Sequence, residues 1–240
     1  MSWSGGKDSA RALFELQRDE RYEVVQLMTS VSEEFRRVSH HGVREELVRA
    51  QAQALGLPLT LVYLPSGQSC TNEVYEQIMG DTMTMYKARG ISTIAFGDLF
   101  LEDLRAWREA NLAKAGMSGI FPIWKRDTRE LSLEIIALGF KAILTCVEGN
   151  VGSRFAGRLF DLALLRNLPD SVDPCGENGE FHSFVYDGPC FAEPVAVRLG
   201  QIVTRDGRHY ADLLPQKAAS SPDAWNDVAG GWDRDARGNA

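Results

Sequence analysis

The sequence predicts an α/β protein: a doubly wound parallel sheet followed by a smaller C-terminal α/β domain. Three observations carry this prediction. Apolar segments of strand and helix period alternate through roughly the first half of the chain, a Gly-rich loop stands directly before the first helix, and the pattern changes character after Gly119. Strands alternating with helices imply a parallel sheet whose two faces are both covered.

The elements follow in order. After the opening MSWSGGKDS, residues Ala10, Leu13 and Phe14 mark one face of a helix, and EVVQLM at Glu23 to Met28 reads as a buried strand. A polar loop, TSVSEEFRRVSHHG, leads to a helix with Val43, Leu47, Ala50 and Ala54 on one face. That helix stops at Gly56 with Pro58 just beyond, and LTLVYL follows as a strand. Glu73 to Arg89 is a further helix, ISTIAFG a strand, and Glu102 to Ala115 a helix. Beyond Gly119 come a short apolar strand at IFPIW, a helix over Asp127 to Leu138, the strand KAILTCV and a helix around Arg154 to Leu165. A Gly-rich segment with short strands closes the pattern. Asp206 and Gly207, between QIVT and HYADLL, have the signature of a hairpin turn. The expected domains are residues 1–120 and 121–214, with 215–240 a disordered tail because Gly, Ser, Asp and Ala recur there without period.

Composition narrows the function classes. The 240 residues are 44% hydrophobic and 25% charged, the balance of an ordinary globular protein. A net charge of −7 with a pI near 5.2 gives no global field that would favour a nucleic-acid backbone, so nucleic acid is a poor first partner. The four cysteines lack both CxxC spacing and the density of a secreted scaffold, which points to reduced thiols in a cytoplasm. No apolar run approaches the about 20 residues that span a bilayer, so no membrane partner is expected. Homo-oligomerisation is left open.

The hexapeptide SGGKDS at Ser4 to Ser9 has the parts of an anion site. Gly5 and Gly6 allow close backbone approach, Lys7 brings a point charge, Ser4 and Ser9 bring hydroxyls, and a helix begins immediately after. Asp8 is repulsive toward phosphate unless Mg²⁺ lies between them, or else it caps the helix. Only Met1, Ser2 and Trp3 precede the loop, where an α/β ligand loop ordinarily follows a full strand. Either the strand is reduced to a stub, or the recorded start lies downstream of the true one.

Two further constellations stand out. Gly97 and Asp98 fall at the carboxyl end of the strand ISTIAF, and Arg105 and Glu109 follow at i, i+4 on the next helix, placed to pair or to face one site together. DPCGENGEFHSFVYDGPCF packs Cys175, Gly176, Glu177, Asn178, Glu180, His182 and Asp187 into one Gly-rich run. A hairpin turn at Asn178 and Gly179 accounts for the glycines but not for that density of polar groups. His40 and His41 lie in a loop after the strand ending near Met28, either at a ligand or at an exposed helix entry. Trp124, Lys125 and Arg126 fall at the expected domain junction.

SGGKDS resembles the pyrophosphate loop (PP-loop) of the adenine nucleotide alpha-hydrolase-like, or HUP-like, superfamily. SGGKDS, GDLFLEDLR with Glu109, PIWKRD and CGENGEFHSFVYDGP then occur in the order found in the diphthine-ammonia ligase family and its bacterial relatives, over about residues 1 to 200. The resemblance implies a PP-loop ATP pyrophosphatase domain facing the CGENGE segment across a cleft. It implies ATP-dependent amidation, in which a carboxylate is adenylated with release of pyrophosphate and ammonia then displaces AMP. ATP and Mg²⁺ are the implied cofactors, and a carboxylate-bearing small molecule or modified protein and ammonia the implied substrates. On this view Ser4, Gly5, Gly6, Lys7, Asp8, Ser9, Gly97 and Asp98 bind the nucleotide, with Asp8 at the metal. Lys7, Asp8, Glu177 and Glu180 serve catalysis, and Arg105, Glu109, Gly176, Asn178 and His182 hold the acceptor. Glu180 or His182 is the expected general base, while Cys175 reads better as a buried thiol than as a nucleophile. An RNA-modifying relative would call for a basic face and paired cysteines, which this chain lacks. An ATP-binding sensor without ligase activity predicts tight ATP binding and no pyrophosphate release.

Overall fold

A computed structural model describes residues 1–216; most of the expected disordered tail, including its two tryptophans, lies outside the described residues. The elements are α1 (Lys7–Gln17), β1 (Leu27–Ser32), α2 (Glu45–Ala54), β2 (Leu59–Leu64), α3 (Asn72–Ala88), β3 (Thr93–Ala95), α4 (Glu102–Lys114), β4 (Ser118–Ile120), α5 (Thr128–Ala137), β5 (Lys141–Glu148), α6 (Leu162–Asn167), β6 (Phe181–Asp187), β7 (Val197–Arg205) and β8 (Arg208–Pro215).

The first half is built on two parallel pairs, β1 with β2 and β3 with β4. The short segment before the loop joins them. Ser2 forms a parallel bridge to Met28, Trp3 N–H donates to the Met28 carbonyl at 2.7 Å, and Ser2 N–H donates to the Ala95 carbonyl at 2.9 Å. Residues Met1 to Trp3 therefore fill the central place between β1 and β3, and the loop follows them directly. Side chains alternate across β1: Leu27 packs into one core and Met28 into the other. Met83, Tyr86 and Leu112 of α3 and α4 cover the Met28 face.

On the opposite face, α1 and α2 lie between the parallel strands and a second sheet of order β6-β5-β8-β7, antiparallel throughout. Burial from both sides explains why α1 hides Arg11 and Lys7 as well as Ala10, Leu13 and Leu16. One apolar cluster accordingly runs from Trp3, Leu13 and Leu47 to Ile143, Phe184 and Val185. Arg11 is matched in that layer by Glu134 of α5 at 3.2 Å.

Several expectations shift. The first strand is Leu27–Ser32 rather than Glu23 to Met28: its register is set by pairing Leu27 with Leu59, and Val25 stays 45% exposed. IFPIW is not a strand, because pairing ends at Ile120 and Pro122 to Lys125 form a turn. The helix expected from Arg154 is a short 3-10 turn at Ser153–Phe155 and a separate α6, which Asp161 caps by accepting from Leu164 N–H at 2.7 Å. Pro215, placed in the tail, closes β8. The Asp206–Gly207 turn forms as expected, with φ of 49° and 75° at the two positions.

Candidate active site

The loop Ser4 to Gly6 runs from Trp3 into α1. Gly5 sits at φ +79°, a left-handed conformation that disfavours any side chain. Gly6 N–H donates to Ser4 Oγ at 3.2 Å, Ser4 and Ser9 hydroxyls lie 3.2 Å apart, and Ser9 Oγ donates to the Gly6 carbonyl at 2.9 Å. The helix starts with no side-chain cap. Gly97 approaches its first turn so closely that a Cβ there would come within 2.8 Å of the Asp8 carbonyl carbon and 2.9 Å of Ser9 N. The two glycine-containing segments expected to converge on the nucleotide do lie together.

The antiparallel sheet supplies the other wall. Val185 N–H donates to the Gly5 carbonyl at 2.9 Å, and Lys7 N–H to Ser183 Oγ at 3.1 Å, so β6 runs along the loop. His41 packs against Gly6, points Nδ1 at the Ser183 carbonyl at 3.2 Å, and stacks on His182 with ring centroids 4.5 Å apart. Burial lowers both imidazoles, His41 to about 4 and His182 to about 2, so both are neutral at physiological pH.

Lys7 is only 2% exposed. Its ammonium donates to both Asp8 oxygens at 2.9 Å and to the Cys175 carbonyl, and lies 5.6 and 5.4 Å from the rings of Phe160 and Phe181. Burial opposes its charge, but Asp8, Cys175 and Glu177 outweigh burial and hold its pKa above the ordinary lysine value. The lysine thus ties the Gly-rich loop to the CGENGE segment. Glu177 lies in the same field: desolvation, then the charge of Asp8, raise its pKa to about 8, with Asp173 and Asp98 adding to the rise and Lys7 opposing it. Asp8, a quarter exposed, is likewise raised by burial and pulled back by Lys7. Asp8 from the first half of the chain and Glu177 from the second therefore both act on the one buried ammonium of Lys7.

The CGENGE turn is shaped by its own acids. Glu180 accepts from Asp173 N–H at 3.0 Å, Asn178 N–H at 2.9 Å and Asn178 Nδ2 at 3.0 Å. Desolvation works against its charge, yet these donors leave its pKa below the ordinary value. Asp173 accepts from Cys175 N–H at 2.8 Å and from Thr128 Oγ1 at 2.6 Å. Gly176 is at φ +70°, and a Cβ there would lie 2.8 Å from the Phe181 carbonyl. Burial drives the Cys175 thiol far up, and Sγ donates to the Thr128 carbonyl at 3.2 Å.

Asp98 pairs with Arg108 at 2.7 Å, not with the Arg105 and Glu109 group. Arg105 and Glu109 pair with each other at 2.9 Å, and the Arg105 guanidinium lies over Phe121 and Trp124 at 4.6 and 4.8 Å. Asp173, Ser183 and Arg108 were not singled out by the sequence; Asp173 carried a usable signal, an Asp two residues before the Cys-Gly turn. A cavity of about 200 Å³ between α3 and α4, lined by Met28, Met79, Phe96 and Trp107, meets this constellation only through Arg108.

A glycine-rich loop on a parallel sheet, walled by an acidic turn beside an antiparallel sheet, defines an α/β protein whose two halves enclose one loop. Residues 1–118 match the family model of the diphthamide synthase N-terminal domain, and residues 127–213 that of its C-terminal domain. The chain belongs to the diphthamide synthase family. It is similar to the diphthine–ammonia ligase of Mus musculus, 24% identical over an alignment that covers 91% of this chain and 93% of that protein. The diphthine–ammonia ligase of Homo sapiens is 22% identical over 213 residues, covering 79% of this chain and 78% of its own length. That of Schizosaccharomyces pombe is 23% identical over an alignment that covers 94% of this chain and 40% of the larger yeast protein.

Proposed function

We propose that this protein is an ATP-dependent, AMP-forming ligase that joins ammonia to a carboxylate, acting on a diphthine-like protein side chain or a small molecule of the same chemistry. Residues 1–120 serve as a PP-loop nucleotide domain and 121–214 as the acceptor domain. The observation that carries this reading is the meeting of Ser4–Ser9 with Asp173–Ser183 around Lys7, in a chain whose halves both match the diphthamide synthase family.

Ammonia cannot displace oxide from a carboxylate, so the acceptor must first be activated. In the proposed first step an acceptor oxygen attacks the α-phosphorus of ATP, a new P–O bond forms, and the bond to the β-phosphate bridge breaks. The charge on the leaving pyrophosphate is met by Gly6 N–H, the Ser4 and Ser9 hydroxyls and the field of buried Lys7. In the second step the ammonia lone pair attacks the acyl carbon, AMP leaves, and a nitrogen-bound proton passes to a carboxylate. Glu177 suits that last role, because a pKa of about 8 stands near working pH. Glu180, engaged by three donors, positions Asn178 and the turn, and neutral His41 and His182 back the loop. Arg105 and Glu109 present a charged face to the acceptor.

Asp8 is the carboxylate that fits Mg²⁺, an ion that uses one or two carboxylates together with substrate phosphates; bound there it would offset pyrophosphate charge. Among the described residues no three His, Cys, Asp or Glu side chains are gathered as a ready-made metal cage.

Incubation with ATP, Mg²⁺, ammonium and fractionated acceptors, followed by nucleotide analysis, tests the reading. AMP and pyrophosphate are expected. ADP and phosphate would overturn α,β cleavage, and tight ATP binding without turnover on any acceptor would point to a sensor.

A further inference from the structure

Gln51 is a polar residue of α2 with no exposed surface. Its carboxamide is fully engaged: Nε2 donates to the Gly5 carbonyl at 2.9 Å and to the Val185 carbonyl at 2.5 Å, and Oε1 accepts from Trp3 Nε1 at 3.0 Å. An indole N–H can only donate, so the oxygen must face Trp3 and the amino group must face the two carbonyls. One side chain thereby fixes Trp3, the loop and β6 together, in one orientation.

The consequence lies on the other side of a peptide plane. The Gly5 carbonyl receives both Gln51 Nε2 and Val185 N–H, and in a trans peptide the next N–H points the opposite way. Clamping the Gly5 oxygen therefore aims Gly6 N–H toward the side that holds the Ser4 and Ser9 hydroxyls, where it donates to Ser4 Oγ at 3.2 Å. Gly5 and Gln51 also occupy complementary space, since a Cβ at Gly5 would come within 2.6 Å of Gln51 Oε1.

We propose that Gln51 is a positioning residue for phosphate: without touching ligand, it orients the Gly6 amide toward the pyrophosphate portion of ATP, jointly with β6 of the antiparallel sheet. The proposal rests on the reading of Ser4–Ser9 as the phosphate site. It makes the loop a cradle only while the two sheets stay docked, because half of the clamp on Gly5 belongs to each side.

The test uses the full chain with Gln51→Met, which keeps length and removes both donors, and Gln51→Asn, which keeps the amide one methylene short. Binding of inorganic pyrophosphate and of ATP is measured by calorimetry, and the Gly6 backbone amide is followed by ¹⁵N–¹H NMR. Loss of all three buried hydrogen bonds of the carboxamide predicts about tenfold or more weaker binding for Gln51→Met and a smaller loss for Gln51→Asn, with a displaced Gly6 resonance in both. A role in packing alone would lower thermal stability but leave the affinity of the folded protein and the Gly6 resonance in place, and that result overturns the proposal. If Gln51→Met does not fold, Gln51→Asn carries the same two readouts. Wild-type protein that binds neither anion overturns the phosphate reading itself, whereas wild-type binding with unchanged variants overturns only the role of Gln51.

Discussion

Replacing Lys7 by methionine removes one ammonium and almost no volume from the centre of the site. Both Asp8 oxygens lose a partner at 2.9 Å, the Cys175 carbonyl loses its donor, and Glu177 loses the charge that holds its pKa down. Breaking a buried pair costs roughly 3–5 kcal/mol; because Asp8 is 25% exposed, about 3 kcal/mol at pH 8 is expected. The cost should depend on pH in a definite direction. Folded Glu177 keeps its proton to about pH 8, whereas the unfolded chain releases it near 4.5, so the folded state binds more protons across that interval. Stability therefore falls as pH rises through the window, and removing Lys7 widens it. At pH 5 the stranded carboxylates can relax by binding protons, and the penalty should shrink by at least about 1 kcal/mol. Urea denaturation of wild type and Lys7→Met at pH 5 and pH 8 measures this, and adding Asp8→Asn should recover part of the loss. Equal penalties at both pH values, or no recovery in the double variant, would refute the coupling described here.

Gly97→Ala should weaken ATP binding more than about tenfold with little global unfolding, because its Cβ meets the backbone of Asp8 and Ser9 below 3.0 Å; calorimetric titration with ATP checks it. Folded His41 titrates near 4 and His182 near 2, against an ordinary 6.5, so the folded state binds fewer protons between about 6.5 and 4 and stability should fall as pH drops through that window. His182→Asn should flatten this limb in a plot of Tm against pH, and an unchanged slope would remove the stacked pair as its cause. Cys175→Ala should keep AMP formation within about tenfold, since the backbone carbonyl and not the thiol holds Lys7; a loss of about a thousandfold or more in kcat would mark the thiol as a nucleophile.

Long periodic elements were legible in the sequence: α2 to α5, β2, β5 and the Asp206–Gly207 hairpin fall within a few residues of expectation. Short or context-dependent ones were not. Met1 to Trp3 is too brief for any period, and its place at the centre of the sheet comes from hydrogen bonds to Met28 and Ala95. TSVS reads as polar loop, yet Thr29 is buried because its hydroxyl donates to the Trp3 carbonyl at 2.6 Å. The antiparallel order of β5 to β8 was hidden because strand periodicity does not state a partner. Within the site, the glycines were visible as glycines, and SGGKDS and CGENGE were both singled out. Their joint dependence on Lys7 was not, because a lysine in a phosphate-like loop reads as solvent-facing until the Cys175 carbonyl is seen above it. Gln51 left a faint signal: it is i+4 from Leu47 on the apolar face of its helix, where an uncharged amide needs buried partners.

The central claim, α,β cleavage of ATP to activate a carboxylate, is tested most directly by isotope transfer. A diphthine-bearing acceptor labelled with ¹⁸O in its carboxylate is incubated with the protein, ATP, Mg²⁺ and ammonium, and the products are read by ³¹P NMR and mass spectrometry. The account predicts one ¹⁸O in AMP and none in pyrophosphate, together with an amidated acceptor; label in inorganic phosphate, with ADP as the nucleotide product, would contradict it.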